Sequence, residues 1–289
     1  DTIVDQSVTD KNASSETQAS STDEPQSRDV FAMDTYMTLT AYGDNAENAL
    51  DKAEAEIERL DNLLSTGDGN SEIYALNQNG TGTISEDTET LLNESEKLYT
   101  DTEGVFDITI YPVMDAWGFT TQNYRIPSDE ELKGLLENVN ASKIQYDKAS
   151  KKVTLPAGVK IDFGGIAKGY TSSRIMDIYK KCGVTSGMVS LGGNVQLLGA
   201  KPDGSFWRVA VQSPDDTNDY LGVLEAEDKA VITSGGYERY FEENGKIYHH
   251  IIDPATGYPA ENGLKSVTIV SDDGTLADGL STSLFIMGK

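Results

Sequence analysis

The stretch Asp162-Phe163-Gly164-Gly165-Ile166-Ala167-Lys168-Gly169 separates two patterns that decide how the surrounding chain folds. Residues 159–162 have the alternation of a strand, and residues 170–181 have the length of a helix. Glycines between a strand and a helix let the backbone approach an anion closely, while the helix N-terminus and Lys168 both favour negative charge. The stretch therefore suits a phosphate group, although a plain tight turn beside an exposed lysine is the better explanation when it is taken alone.

Outward from this stretch, the sequence predicts helices and strands that are partly segregated. A single apolar stripe predicts a helix over residues 46–64, and Ser71, Ser85 and Ser128 are each placed to cap a further helix. A final apolar helix is predicted over residues 276–287. Many links between strands are too short for a helical crossover, so the pattern favours an α+β fold with largely antiparallel sheet. The predicted strands are residues 30–42, 143–146, 152–155, 188–191, 195–198, 207–212, 220–224, 230–233, 248–252 and 266–271.

The composition excludes several functions. The 289 residues include 23 Lys and Arg against 48 Asp and Glu, a formal net charge of −25. Nucleic acids bind to clustered Lys and Arg, and the sequence holds no such cluster, so no nucleic-acid partner is expected. No apolar run of about 18 residues is present to span a membrane. Cys182 is the only cysteine, which excludes an internal disulfide and a cysteine-based zinc site.

Residues 1–29 differ in composition from the rest of the chain. Ten of them are Ser or Thr and seven are acidic, so they offer little apolar surface to offset the entropy lost on ordering. We expect a disordered acidic leader or tether, followed by one folded domain over residues 30–289.

Asp278 and Thr282 are four residues apart on the predicted last helix, so their oxygens lie on one face. One carboxylate and one hydroxyl are too few for a calcium site. They suit Mg²⁺, which keeps water ligands and shares itself with substrate phosphates. The alternative is a helix in which Asp278 interacts with the helix dipole and Thr282 bonds to the preceding turn, and the pair alone favours that alternative.

The two histidines of the chain, His249 and His250, are adjacent. In a strand they face opposite sides, so at most one of them is expected to face a shared site. General base is the functional role that suits such a histidine, because its ordinary pKa is close to neutrality, and a purely structural histidine is the alternative. The sequence contains no G-x-S-x-G elbow, which argues against a serine hydrolase.

Taken in order along the chain, these motifs resemble the ApbE family of FAD:protein FMN transferases, which attach FMN through a phosphoester bond to a Ser or Thr of a flavoprotein. The resemblance runs from about Phe31 to Gly288. It implies an ApbE-like fold with mixed, mainly antiparallel sheets packed with helices in a single catalytic domain. The matching motifs are residues 33–35, 64–65, 71–73, 76–77, 106–107, 117–119, 161–169, 191–194, 201–207, 233–235, 237–239, 250–259 and 278–282.

The resemblance also implies roles for particular residues of an Mg²⁺-dependent enzyme that uses FAD as its substrate and releases AMP. Mg²⁺ is expected to be held by Asp278, Thr282 and the carbonyl of Gly165, with Ser281 as a further candidate. His250 is expected to deprotonate the acceptor hydroxyl, and Lys168 and Asp278 complete the catalytic set. The flavin nucleotide is expected to contact Met33, Val105, Phe106, Asp107, Asp162, Lys168 and Ile252.

The implied partner is an acceptor flavoprotein with a Ser/Thr flavinylation motif, either a subunit of a redox complex or an extracytoplasmic reductase. Many members of the family are exported lipoproteins. We therefore expect an extracytoplasmic, membrane-tethered bacterial lipoprotein whose lipidated cysteine lies upstream of Asp1. The chain also ends earlier than relatives that carry a further strand or two, which suggests a truncated C-terminus.

Two other functions fit the same residues. One is an Mg²⁺-dependent FAD pyrophosphatase, in which water replaces the acceptor, and the other is a non-catalytic FAD-binding protein. Two positions depart from the family pattern. Asp34 stands where relatives carry a glycine and is expected to crowd or recharge the flavin pocket, and Gly67 stands where an aromatic residue is common, so a stacking ring is lost.

Overall fold

A computed structural model describes residues 24–216 and 218–288 of the chain, which contain thirteen strands and seven α-helices. The strands are β1 (Gln26–Ala32), β2 (Thr35–Ala41), β3 (Thr81–Thr83), β4 (Gln145–Asp147), β5 (Lys152–Thr154), β6 (Gly187–Leu191), β7 (Asn194–Leu198), β8 (Trp207–Gln212), β9 (Tyr220–Ala226), β10 (Ala230–Gly235), β11 (Tyr240–Glu243), β12 (Lys246–His249) and β13 (Ser266–Ser271). The helices are α1 (Ala46–Leu64), α2 (Glu72–Asn79), α3 (Glu86–Asp101), α4 (Tyr111–Ala116), α5 (Asp129–Leu136), α6 (Ala167–Lys181) and α7 (Gly274–Met287), with 3₁₀ turns at Ile108–Ile110 and Ala141–Lys143.

A six-stranded sheet in the order β1-β2-β6-β7-β10-β13 is the centre of the fold. Each neighbouring pair in it is antiparallel. The smaller sheets are β3-β5-β4, β8-β9 and β11-β12. Together with the helices, these sheets confirm the expected α+β class with mainly antiparallel sheet.

The two faces of the central sheet are covered by different elements. On one face α1 packs over β1 and β2, α6 over β6 and β7, and α7 over β10 and β13. Side chains alternate along a strand, so Val189 of β6 packs among the residues of α1 and α6. Its neighbour Met188 packs instead with Trp207 and Val209 of β8. The β8-β9 hairpin therefore covers the opposite face.

Three helices begin at the serine caps that the sequence predicted, whereas α6 and α7 begin three and two residues earlier than predicted. The hydroxyl oxygens of Ser71, Ser85 and Ser128 accept hydrogen bonds from backbone amides in the first turns of α2, α3 and α5. The helix α2 ends at Gly80, whose φ of 68° is the left-handed conformation that suits glycine. These ends depend on local hydrogen bonds, which is why local sequence was enough to predict them.

The predicted single strand over residues 30–42 is wrong. The chain reverses at Met33 and Asp34, which adopt φ of 49° and 57°, so β1 and β2 form a hairpin in which Ala32 is paired with Thr35. The predicted leader is also too long, because its last residues belong to β1, where Ser27 pairs with Thr40. The rest of the predicted leader, residues 1–23, lies outside the described residues.

The predicted strand over residues 159–162 is absent from the structure. The Asn77 side chain pairs with the backbone of Ile161 in both directions, accepting from its N–H at 2.8 Å and donating to its carbonyl at 2.8 Å. The Asp162 N–H donates to the Ile108 carbonyl. The Asn77 side-chain amide thus makes the two hydrogen bonds that a neighbouring strand would make to Ile161, and it holds this segment against α2.

The predicted strand over residues 248–252 is shorter in the structure. The strand β12 ends at His249, and Ile252 forms only an isolated bridge with Pro259. The elements β3, α4 and β11 were not predicted. None of the described helices is both long and apolar enough to cross a bilayer.

Candidate active site

A cavity of about 1110 Å³ opens where several turns of the fold meet. Its walls come from the β1-β2 turn, the end of α1, the segment before α4, the glycine turn before α6, the β6-β7 turn, the end of β10 and the residues after β12. One side chain from each of several walls carries the chemistry: Asp34, Asp61, Phe106, Lys168, Asn194, Arg239, His250 and Asp278. The sequence motifs, which are far apart in the chain, are brought together here.

The helices α6 and α7 cross closely at one wall of this cavity. A Cβ atom on Gly169 would lie 2.2 Å from the Gly274 carbonyl oxygen and 2.7 Å from the Asp278 Cβ, so only glycine fits at this crossing. The close approach lets the Gly169 N–H donate to Asp278 Oδ2 at 2.8 Å. The glycine of α6 therefore positions the carboxyl group of α7.

The Asp278 carboxyl group is buried, with only 3% of the residue exposed. Burial raises its pKa, and Lys168, the Gly169 amide and the Asn194 side chain oppose that rise. Thr282, one turn further along α7, lines the same cavity as Asp278. The prediction that their oxygens share one face is confirmed.

Ser281 is set back from this pair. Its hydroxyl donates to the Asp278 carbonyl at 2.8 Å and lies 2.7 Å from Ser234 Oγ, and the residue is fully buried. Its neighbour Thr282 lies 3.4 Å from Ser234 Oγ. The structure thus gives Ser281 a role in joining α7 to β10, while Asp278 and Thr282 reach the cavity.

The glycine turn before α6 is held by its own aspartate. Asp162 Oδ1 accepts from the Gly164 N–H at 2.6 Å, and a Cβ on Gly165 would lie 2.9 Å from Phe106 Cε2. Burial raises the pKa of Asp162, while the Gly164 amide, Arg239 and Lys168 lower it. Lys168 follows as the second residue of α6 and faces the cavity, as a phosphate-binding turn requires.

The adjacent histidines face different environments, as predicted. His250 lines the cavity. His249 instead places Nε2 3.1 Å from the Ala260 carbonyl oxygen and its ring against Phe285. The two side chains therefore have separate roles, and His250 is the one that can act on a ligand.

The tautomer of His250 follows from its hydrogen bond. Its Nδ1 atom lies 3.1 Å from the Arg239 carbonyl oxygen, which can only accept, so Nδ1 carries the proton and Nε2 keeps a free lone pair. Burial, together with Lys168, lowers its pKa to about 3. The imidazole is therefore neutral near pH 7 and able to accept a proton.

The predicted flavin contacts Met33, Val105, Phe106 and Ile252 all line the cavity, and so does Asp107. The carboxyl group of Asp107 is engaged by the protein itself, since it accepts from the Thr109 N–H at 2.8 Å and the Ala141 N–H at 3.1 Å. Burial raises its pKa. These contacts fix the segment that presents Val105 and Phe106.

The structure also places at the site two residues to which the sequence analysis assigned no role. Asn194 is 2% exposed and lines the cavity, where its side chain lowers the pKa of the Asp278 carboxyl group. Arg239 pairs with Asp34, with Arg239 Nη2 3.6 Å from Asp34 Oδ2. Both residues belong to motifs that were recognised, but only the fold shows that they face one cavity.

The donor set fits a magnesium ion better than a metal held by protein alone. Within residues 24–216 and 218–288, no three acidic, histidine or cysteine side chains come together as a metal site. The buried Asp278 carboxylate, the Thr282 hydroxyl and a glycine-turn carbonyl are hard oxygen donors. The Asn194 side chain lies beside this carboxylate and lowers its pKa.

A glycine turn followed by a lysine, a buried carboxylate and a neutral histidine meet at one cavity of an α+β domain, an arrangement suited to an enzyme that transfers phosphorus-containing groups. The chain belongs to the ApbE family, whose model matches residues 33–289.

Several characterised relatives are similar over most of their length. A FAD:protein FMN transferase from Vibrio cholerae serotype O1 is 34% identical over 241 residues, which span 81% of this chain and 71% of the relative. One from Haemophilus influenzae is 32% identical over 255 residues, 84% of this chain and 74% of the relative. The crystal structure of the ApbE protein from Thermotoga maritima matches with a TM-score of 0.88 and 34% identity, over 91% of this chain and 87% of that one. The apo flavinyl transferase ApbE of Pseudomonas stutzeri matches with a TM-score of 0.83 and 29% identity, over 92% and 86%.

Proposed function

We infer that this chain transfers FMN from FAD to a target protein, the reaction for which its relatives are named. The observation that carries this conclusion is the meeting of Asp278, Lys168 and His250 around one cavity. A buried carboxylate can hold a cation, a lysine at a helix N-terminus can hold phosphate, and a neutral imidazole can take a proton. Those are the three functions that this transfer requires.

In the proposed reaction, a hydroxyl oxygen of the acceptor attacks the phosphorus of the FMN half of FAD. The bond from that phosphorus to the bridging oxygen breaks, and AMP leaves with the oxygen. The acceptor proton passes to His250 Nε2. FAD and protein hydroxyl thus give a protein–FMN phosphoester and AMP, so all atoms are accounted for and no oxidant is needed.

The residues around the phosphates supply charge and alignment. Lys168, at the start of α6, stabilises negative charge on the phosphate oxygens, and positioning of this kind provides most of the catalysis in phosphoryl transfer. We propose that Asp278, Thr282 and the Gly165 carbonyl hold Mg²⁺, which when bound neutralises phosphate charge.

The direct test is incubation of the full chain with FAD, Mg²⁺ and an acceptor domain that carries a Ser or Thr flavinylation motif. We expect a mass gain of one FMN on the acceptor and one AMP released per FMN attached. Release of FMN and AMP without an acceptor would instead identify a pyrophosphatase. Tight binding of FAD with no turnover in Mg²⁺ would identify a flavin-binding protein.

We also propose that the chain acts outside the cytoplasm as a membrane-tethered lipoprotein, on an acceptor from a redox complex or an extracytoplasmic reductase. The polar composition of residues 1–29 supports the tether. Fractionation of cells that express the native gene tests this proposal, and recovery of the protein from the cytosol alone would contradict it.

A further inference from the structure

The lining of the active-site cavity contains only two cationic side chains among the described residues, Lys168 and Arg239. The acidic side chains in the same lining are more numerous: Asp34, Asp61, Asp107, Asp162, Glu238 and Asp278. A substrate with a diphosphate therefore binds in a cavity whose lining is mostly acidic and carries positive charge at two side chains. The proposed reaction uses Lys168, and it leaves the guanidinium group of Arg239 without a role.

Arg239 is only loosely held in the structure. The side chain is 34% exposed, and its ion-pair partner within residues 24–216 and 218–288 is Asp34, whose own side chain is 66% exposed. The separation of 3.6 Å between Nη2 and Oδ2 is long for a hydrogen bond. Exposed pairs of this kind contribute little, so the guanidinium group can exchange Asp34 for a stronger partner at small cost.

The backbone of the same residue is firmly held. The Arg239 carbonyl oxygen accepts from the His250 N–H at 3.0 Å and lies 3.1 Å from His250 Nδ1. Arg239 therefore sets the orientation and tautomer of the proposed base through its backbone. The Arg239 side chain lines the same cavity as the His250 imidazole.

Electrostatic effects agree with this position. Both Lys168 and Arg239 lower the pKa of Asp162 and of His250. The positive charges of Lys168 and Arg239 therefore both act on Asp162 in the glycine turn and on His250 after β12. A diphosphate lying against the glycine turn is within the field of both.

We propose that Arg239 is a substrate-binding residue, whose guanidinium group leaves Asp34 and donates hydrogen bonds to the diphosphate of FAD opposite Lys168. This proposal rests on the proposed function. A guanidinium fork matches the oxygens of a phosphate, and its charge-assisted hydrogen bonds to an anion are stronger than those between neutral groups. Asp34 is then a competitor that holds Arg239 until the diphosphate binds.

Two substitutions should have opposite effects. Arg239→Gln removes the charge but leaves the carbonyl that positions His250. Asp34→Asn removes the competing carboxylate and keeps a residue type that tolerates the left-handed φ of 57°. We therefore expect weaker FAD binding in the first variant and tighter FAD binding in the second.

The experiment is a titration of the full chain with FAD and, separately, with riboflavin, followed by flavin fluorescence in the presence of Mg²⁺. Arg239→Gln should weaken FAD binding by about 10-fold or more, the worth of a hydrogen bond to a charged group, and leave riboflavin binding unchanged. Arg239→Lys should recover part of the loss. Asp34→Asn should tighten FAD binding only while Arg239 is present, so the double variant should match Arg239→Gln.

Arg208→Gln is the matched control, because Arg208 lies in the β8-β9 hairpin beside Glu225, outside the cavity lining. Thermal unfolding of each variant verifies the fold. An Arg239→Gln variant that binds FAD as well as the wild type, or that loses riboflavin binding equally, overturns the proposal. If the wild type binds FAD in the expected pattern but transfers no FMN, the proposed function fails while the role of Arg239 stands.

Discussion

At the scale of single residues, the central feature is the buried carboxyl group of Asp278, which we propose as a ligand of the cation. The raised pKa of Asp278 reflects the cost of placing its charge away from water. The neighbouring Lys168 and the Gly169 amide reduce that cost but do not remove it. Such a group is better explained by function than by stability, because a neutral side chain of the same size would be easier to bury.

We expect Asp278→Asn to reduce FMN transfer by about 100-fold or more, because the proposed cation site loses its only carboxylate. Stability should be unchanged or slightly higher, since the buried charge is gone. Measurement of AMP release and of the melting temperature separates the two effects. Asp273→Asn on the same helix is the control, because its side chain caps α7 by accepting from the Leu276 N–H and asparagine can do the same. Equal activity of Asp278→Asn and the wild type would contradict the assignment.

The position of Gly67 allows a second test at this scale. Gly67 lines the cavity, and a Cβ atom there would meet nothing within 4 Å. Gly67→Phe should therefore fold normally and supply an aromatic surface for the flavin, which tightens FAD binding by about 3-fold to 10-fold. Fluorescence titration with FAD measures the effect. A weaker affinity with an unchanged melting temperature would show that the flavin ring lies elsewhere.

At the scale of elements, the crossing of α6 and α7 connects stability to the site. The Gly169 backbone supplies a hydrogen bond to Asp278, and the absence of side chains at Gly169 and Gly274 lets the helices approach closely enough to make it. Any change that separates these helices moves Asp278 away from the glycine turn. The geometry of the active site is therefore set by helix packing.

Two glycine-to-alanine substitutions within helices should have opposite outcomes. Gly169→Ala places a methyl group 2.2 Å from the Gly274 carbonyl oxygen, so the helices must separate, and we expect a loss of about 1–3 kcal/mol of stability together with lower activity. Gly134→Ala in α5 meets nothing within 4 Å and should gain about 0.5–1 kcal/mol. Urea unfolding measures both. Equal effects of the two changes would show that the crossing tolerates a Cβ.

The prediction of elements from sequence succeeded where the determining contacts are local. Ser71, Ser85 and Ser128 cap helices through amides two or three residues away. It failed at Met33 and Asp34, because a single aspartate is a weak turn signal when β-type residues continue on both sides of it. The hairpin there is determined by its pairing with the central sheet, which local sequence does not contain.

At the scale of the whole molecule, the charge of −25 makes the location of each cation important. An acidic protein attracts few anions in general, so a polyanionic substrate must be received where Lys168, Arg239 and a helix N-terminus converge. The histidines add a dependence on pH. His250 and His249 both have a pKa lowered by burial, so each is neutral in the folded protein and binds a proton on unfolding in acid.

This shift predicts how stability depends on pH. The pKa of His250 is about 3 when folded, against an ordinary value of 6.5, so the unfolded chain binds more protons between these values. The contribution of neutral His250 to the free energy of unfolding is therefore fully present above pH 6.5. It is lost as the pH falls toward 3, by up to about 1.4 kcal/mol per pH unit. The free energy of unfolding, measured with urea between pH 7 and pH 5, should fall less steeply with decreasing pH in His250→Gln than in the wild type. Identical slopes would mean that His250 titrates normally in the folded protein.

The sequence alone determined the serine caps of α2, α3 and α5, the α+β class, the placement of Asp278 and Thr282 on one helix face, and the family through its ordered motifs. The tertiary structure alone decided that His250 rather than His249 faces the cavity, that Ser281 is set back, and that Arg239 meets Asp34 across the cavity. The physical reason is the range of the contacts. Caps and helical faces depend on residues within one or two turns, whereas these side chains are placed by elements distant in the chain.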